Sequence, residues 1–201
     1  QGLTTLRGHE GSISSAAWSP DSKYIVSTGD DKTLIVWEAI TGRRVNTLNT
    51  HEKAVRTAAW SPDGRYLVSG STGNTLTVWD AVTGKDLRTL QGHVSPVTSA
   101  AWSPDSLYLV SASWDQTLIL WEAETGEALR TLRGHEGSVG SVAWSPDGSF
   151  IVSASDDKTL IVWEAATGAA VRTLRGHEAT VTSTAWSPDG SYLVSGSEDQ
   201  T

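Results

Sequence analysis

Five histidines, His9, His51, His93, His135 and His177, stand 42 residues apart, and the chain holds no others. Ser and Asp recur beside them in each unit, so the side chains of an acyl-transfer triad are present several times over. A nucleophilic Ser needs one base, one orienting carboxylate and a strained elbow turn that presents it. No elbow signature accompanies this trio. A catalytic site is needed once, whereas a structural hydrogen-bond network is needed in every copy, so we expect no catalytic residues and no enzyme. Imidazoles also bind metals, but one His per unit places each on a separate element, and no His/Asp/Glu cluster has ligand spacing. No metal is expected. Asp30-Asp31 and Asp156-Asp157 look like paired carboxylates for acid–base work, but the first of each pair reads as a solvated turn residue. The glycines sit in Thr-Gly and Asp-Gly turns rather than in a phosphate-cradling loop, so no cofactor is expected.

The elements that position these groups follow the same period. Trp18, Trp60, Trp102, Trp144 and Trp186 keep the 42-residue step, as do Trp37, Trp79, Trp121 and Trp163. Residues 9–50 match residues 135–176 at 28 of 42 positions without a gap, the mark of recent duplication or of deliberate design. Five units would take 210 residues against the 201 present. The repeats run over about 9–50, 51–92, 93–134, 135–176 and an incomplete 177–201, with 1–8 as an outer strand. Together they make a single domain or arc over 1–201.

Within a unit the pattern is β. Ser12 to Trp18 leads into the turn Ser19-Pro20-Asp21-Ser22, with Pro at its second position. Tyr24-Ile25-Val26-Ser27, an Asp-containing turn and Leu34-Ile35-Val36-Trp37 follow. A fourth strand, about Arg44 to Leu48, ends the unit, which leaves no stretch long enough for a helix. Near-continuous apolar runs such as LIVW and YLVS predict sheets buried on both faces, as in a radial stack of four-stranded sheets. The first-strand Trp, Trp18 and its equivalents, reads as core between sheets. One outer strand (about Leu3 to Leu6), four sets of four and two more (about Val181 to Trp186 and Tyr192 to Ser197) give nineteen strands.

Composition narrows the function classes. The charge is 15 basic against 23 acidic residues, net −8, which argues against nucleic acid as partner. No apolar run approaches the ~18 residues of a membrane-spanning helix, so no membrane partner is expected. Cys is absent, which fits a reducing, cytoplasmic compartment. Nine of the 15 basic residues lie on or beside fourth strands, for example Arg44, Arg88, Arg130 and Arg172, and read as a solvated outer edge that discourages aggregation.

Gly-His at Gly8-His9, Gly92-His93, Gly134-His135 and Gly176-His177, with Trp-Asp or Trp-Glu at Trp37-Glu38, Trp79-Asp80, Trp121-Glu122 and Trp163-Glu164, resembles the WD-repeat β-propeller family over essentially the whole chain. The resemblance implies an all-β propeller of four-stranded antiparallel blades, about 4¾ repeats long. It also implies a hydrogen-bonded tetrad of loop His, second-strand Ser, turn Asp and third-strand Trp. The matching sets are His9, Ser27, Asp31 and Trp37; His93, Ser111, Asp115 and Trp121; and His135, Ser153, Asp157 and Trp163. The second repeat keeps His51, Ser69 and Trp79 but has Gly73 for Asp and Thr50 for the preceding Gly, which predicts the weakest blade. The fifth keeps His177, Ser195 and Asp199 and stops before its Trp.

The family's contact positions lie three and five residues after the His and immediately before the tetrad Asp. That last position reads Asp30, Thr72, Trp114, Asp156 and Glu198, and Trp114 has no counterpart in the other copies. An indole at a turn is an interface anchor, so Trp114, Arg56, Pro96 and Thr98 are the expected partner-binding residues, for a protein or peptide on the His-loop face. The alternative is that Trp114 folds over its own blade. Since such rings usually hold seven blades, the expectation is an arc of a larger propeller or longer chain. Self-association through open blade edges comes second, and a closed five-bladed ring third. The functional reading is a non-catalytic interaction scaffold or sensor module; the alternative is a self-assembling repeat scaffold with no dedicated ligand.

Overall fold

A computed structural model describes residues 4–49 and 51–201. Among these residues there are eighteen strands and no helix. The first sheet is β1 (Ile13–Trp18), β2 (Tyr24–Gly29), β3 (Leu34–Glu38) and β4 (Arg44–Leu48); the second is β5 (Val55–Trp60), β6 (Tyr66–Ser71), β7 (Thr75–Asp80) and β8 (Asp86–Gln91). The third is β9 (Val97–Trp102), β10 (Tyr108–Ser113), β11 (Thr117–Glu122) and β12 (Ala128–Arg133); the fourth is β13 (Val139–Trp144), β14 (Phe150–Ser155), β15 (Leu160–Glu164) and β16 (Ala170–Leu174). A last pair, β17 (Val181–Trp186) and β18 (Leu193–Ser197), ends the array. Each sheet is an antiparallel meander in chain order. Nineteen strands were expected. Leu3 of the expected outer strand lies outside the described residues, and residues 4–6 carry no strand pairing. Two of them lie against the turn between β3 and β4: a Cβ on Gly42 would sit 2.6 Å from the Thr4 methyl and 3.2 Å from Leu6.

The Ser-Pro-Asp turns close on themselves. Ser19 Oγ donates to Asp21 Oδ1 at 2.7 Å and accepts the Tyr24 amide at 2.9 Å, while the Lys23 amide donates to the same carboxylate at 3.1 Å. The fourth turn residue is left-handed, which suits Gly64, Gly148 and Gly190 (φ 73°, 74° and 73°). Ser22 and Ser106 hold the same conformation with a side chain, at φ 59° and 63°. Ser106 Oγ gains a bond in return, accepting the Asp63 amide of the neighbouring sheet at 3.1 Å. Ser22 makes no such bond among the described residues.

The core lies between sheets, and the same positions build each layer. Val26, Val36 and Leu48 of the first sheet meet Val55, Leu67 and Trp79 of the second. Val68, Val78 and Leu90 meet Val97, Leu109 and Trp121, and Val110, Leu120 and Leu132 meet Val139, Ile151 and Trp163. Burial from both sides explains why the strands read as continuous apolar runs. Contacts between sheets run chiefly through their first and second strands, so the sheets fan outward from an inner edge, as propeller blades do.

Trp60 stacks on Tyr24 with centroids 6.4 Å apart, and Trp102 on Tyr66 at 6.1 Å. Trp18 corrects the reading of every first-strand Trp as core. It is 59% exposed, because no sheet precedes β1 among the described residues. The opposite flank is equally bare, with Tyr192 75% and Val194 64% exposed.

Replacing Ser22 with Gly removes the left-handed penalty without losing a bond, and should stabilise the fold by about 0.5–1 kcal/mol. Ser106→Gly should gain less, because it loses the Asp63 contact. Urea unfolding of the two variants compares them directly.

Candidate functional site

In the first repeat the loop carries His9 over the end of β2. His9 Nδ1 donates to Asp31 Oδ2 at 2.9 Å, and Nε2 lies 2.7 Å from Ser27 Oγ. The Trp37 indole N–H donates to the same Ser27 Oγ at 2.8 Å. The indole can only donate and the carboxylate can only accept, so the chain has one direction: Trp N–H to Ser, Ser O–H to His Nε2, His Nδ1–H to Asp. The third repeat repeats it through His93, Ser111, Asp115 and Trp121, and the fourth through His135, Ser153, Asp157 and Trp163. His177, Ser195 and Asp199 form the same partial chain at 2.8 Å on both sides of the ring. Ser27, Ser69, Ser111 and Ser153 are at most 5% exposed. Each receives an indole N–H and meets a His Nε2, so its hydroxyl is committed to bonds within the fold.

The network has a fifth participant beyond the expected tetrad. Asp31 accepts four hydrogen bonds: from His9, from the Glu10 amide at 2.8 Å, and from the Thr33 amide and hydroxyl at 3.1 and 2.8 Å. Thr117 and Thr159 serve Asp115 and Asp157 in the same way. The signal was present, since Thr stands two residues after the Asp position in every repeat. These bonds also hold the intervening Lys32, Gln116 and Lys158 in left-handed conformations at φ 69–70°. Burial works to raise the Asp31 pKa; the Glu10 amide, Thr33 and His9 outweigh it and hold the carboxyl at about 2. Asp115 and Asp157 are lowered by the same balance. Burial lowers the pKa values of His93 and His135, against the pull of their Asp partners.

The second repeat departs from this pattern. His51 Nε2 is 2.6 Å from Ser69 Oγ, and Trp79 donates to that oxygen at 2.8 Å, but Gly73 offers His51 Nδ1 no carboxylate. Burial alone pushes the His51 pKa down to about 4. Thr50 lies outside the described residues.

On the same face, Trp114, Arg56, Pro96 and Thr98 line one open concavity of about 380 Å3, together with Ser12, Ile13 and Ser14 at the start of the first sheet. The Trp114 side chain is not folded away: the residue is 54% exposed, and its indole N–H meets no protein acceptor among the described residues. Its own amide donates to the Pro96 carbonyl at 3.1 Å, which ties the two loops. Arg56 Nη1 reaches Asp30 Oδ1 at 3.5 Å, with both side chains 42% exposed, a contact of little energetic weight. Thr98 Oγ1 sits between the carbonyls of Ala112 and Val139 at 3.0 and 2.6 Å, so its hydroxyl is committed to the scaffold. Val94 joins this face without being among the expected contact residues. It is 80% exposed at the position after the loop His, where the other repeats have Glu10, Glu52, Glu136 and Glu178. No group of three or more His, Asp or Glu side chains among the described residues gathers as a metal site requires.

Four-stranded meanders stacked face to face, each pinned through its loop by a His-centred network, define a β-propeller array. The chain belongs to the WD-repeat β-propeller family: the model described as the echinoderm microtubule-associated protein second beta-propeller matches residues 13–173, and that of the WD domain, G-beta repeat, matches residues 168–201. Single repeats are similar to segments of curated proteins. One is Protein HIRA of Dictyostelium discoideum, 53% identical over 36 residues, 18% of this chain and 3% of that protein. Another is the guanine nucleotide-binding protein subunit beta of Zea mays, 43% identical over 42 residues, 21% of this chain and 11% of that one. A third is ribosome biogenesis protein erb1 of Neurospora crassa, 48% identical over 42 residues, 21% of this chain and 5% of the relative. The matched segments cover about a tenth or less of these relatives.

A Cβ at Gly73 would lie 3.2 Å from Ser71 Oγ and 3.5 Å from the flexible Lys53 side chain, at a φ that needs no glycine. Gly73→Asp should therefore restore the missing acceptor and stabilise the fold at pH 7 by about 1–2 kcal/mol in thermal unfolding. The pH dependence follows from His51. Between its ordinary 6.5 and its folded value of about 4, the unfolded chain binds a proton that the folded chain does not, so stability falls as pH drops through that window. Gly73→Asp places a carboxylate beside His51 and should shrink that loss, giving a larger advantage at pH 5 than at pH 7. An equal or smaller advantage at pH 5 contradicts the assignment.

Proposed function

We propose that the chain is a non-catalytic protein-interaction module that presents its His-loop face, centred on the third repeat, to a protein or peptide partner. One observation carries the reading: Trp114 stands half-exposed at a turn in a repeat whose copies carry Asp, Thr or Glu there. A turn does not need an indole for packing, and Trp and Arg are the side chains that most often dominate binding energy at interfaces. Arg56 and Pro96 share its concavity. The likeness to a named subunit of a guanine nucleotide-binding protein is consistent with such a role, as fold-level analogy. We place the module in the cytoplasm on the ground of its Cys-free composition.

The second reading, a self-assembling repeat scaffold without a dedicated ligand, has one observation on its side. The outer flanks of the array leave Trp18, Tyr192 and Val194 uncovered, and exposed apolar flanks favour association. Light scattering across a concentration series separates the two: a constant monomer mass supports the first reading, and a mass that grows without a partner supports the second.

Both Trp114→Ala and Arg56→Ala should leave thermal unfolding within about 2 °C of the parent. Each should weaken a protein captured by the parent chain by about ten-fold or more. Unfolding by Trp114→Ala would assign the indole to the fold and overturn the reading.

A further inference from the structure

The charge of the loop face is interrupted. Glu follows the loop His at Glu10, Glu52, Glu136 and Glu178, and an acid precedes the network Asp at Asp30, Asp156 and Glu198. The second and third repeats break this rim with Thr72, Val94 and Trp114, and the second lacks even the network carboxylate at Gly73. The same stretch supplies Lys53 and Arg56. Arg56 touches one carboxylate oxygen, on Asp30 at 3.5 Å, and is 42% exposed, so most of the five donors of its guanidinium fork remain open. It lies in the concavity lined by Trp114 and Pro96. Apart from Glu52, the acidic rim is interrupted across these two repeats, and the gap holds an open cation beside an exposed indole.

We infer that this gap takes an extended peptide segment of a partner protein, with a carboxylate side chain paired to Arg56 and an aliphatic or aromatic side chain laid on Trp114. The inference rests on the loop face being the docking surface and names the chemistry that surface selects. A planar guanidinium donates two parallel hydrogen bonds to a carboxylate, which the single 3.5 Å contact with Asp30 does not supply. The acids of the first and fourth repeats repel a second carboxylate to either side, so the rim fixes the position of the acidic residue as well as the need for one. Lys53, whose side chain lies beside Gly73, adds a second positive charge to the second repeat.

The test is selection from a phage-displayed random heptapeptide library on the immobilised 201-residue chain, followed by titration of the enriched synthetic peptides. Enriched sequences should carry Asp or Glu close to Leu, Phe or Trp. Arg56→Gln should weaken them by about ten-fold or more, Arg56→Glu should select Lys or Arg instead, and Trp114→Ala should abolish enrichment. All three variants should unfold within about 2 °C of the parent. Enrichment of Lys- or Arg-bearing peptides on the parent chain, or acidic peptides indifferent to Arg56→Gln, would overturn this inference alone, provided binding still needs Trp114. Peptides that bind Trp114→Ala as tightly as the parent, or no enrichment at all, would overturn the docking surface and the inference with it.

Discussion

A carboxylate that accepts four hydrogen bonds holds each complete repeat together. Asp31, Asp115 and Asp157 each take one from the loop His, one from the following amide and two from the Thr two residues on. Those bonds set the turn between the second and third strands, orient the imidazole and, through Ser, anchor the third-strand indole. Loop, turn and sheet interior become one unit, in which loss of any member leaves buried partners unpaired. Ser, His and Asp therefore serve as internal fastening.

The second constraint is that no sheet buries its own apolar faces. Leu67 and Trp79 are covered by the first sheet, Val68 and Val78 by the third, and the same equivalents recur 42 residues on. Stability is thus shared between neighbours, as in other repeat architectures. Two layers add a polar tie, Trp102 and Trp144 donating to the Ala59 and Ala101 carbonyls of the preceding sheet at 3.2 and 3.3 Å, whereas the buried indole N–H groups of Trp60 and Trp186 find no partner among the described residues.

Much of this was legible in the residues. The period locates the sheets, because a polar Ser inside an apolar run such as YIVS must have a buried partner, and a His at constant spacing provides one. The network Thr was legible too, but a hydroxyl near a turn looks ordinary until the carboxylate it serves is placed. Other features depend on neighbours that composition does not reveal. Trp18 has the same local sequence as Trp60, yet only the latter is covered by a preceding sheet. Ser22 occupies a glycine's conformation because its turn is closed by Asp21 and Ser19, not because Ser favours it. Around the candidate site, Trp114 was conspicuous as an indole without counterparts. Val94 was not, because substitution of an acid by an aliphatic residue draws attention only beside the other four loops.

The equality of the contact layers has a consequence for how such a protein changes over time. Gain or loss of one 42-residue unit joins surfaces that already fit, so the array can lengthen or shorten by whole blades without inventing a contact. Any other step would throw Val, Leu and Trp out of phase with the sheet they cover. Novelty is therefore cheapest at the loop tips, where Val94, Pro96 and Trp114 differ from their copies while the layers beneath them keep the same fit.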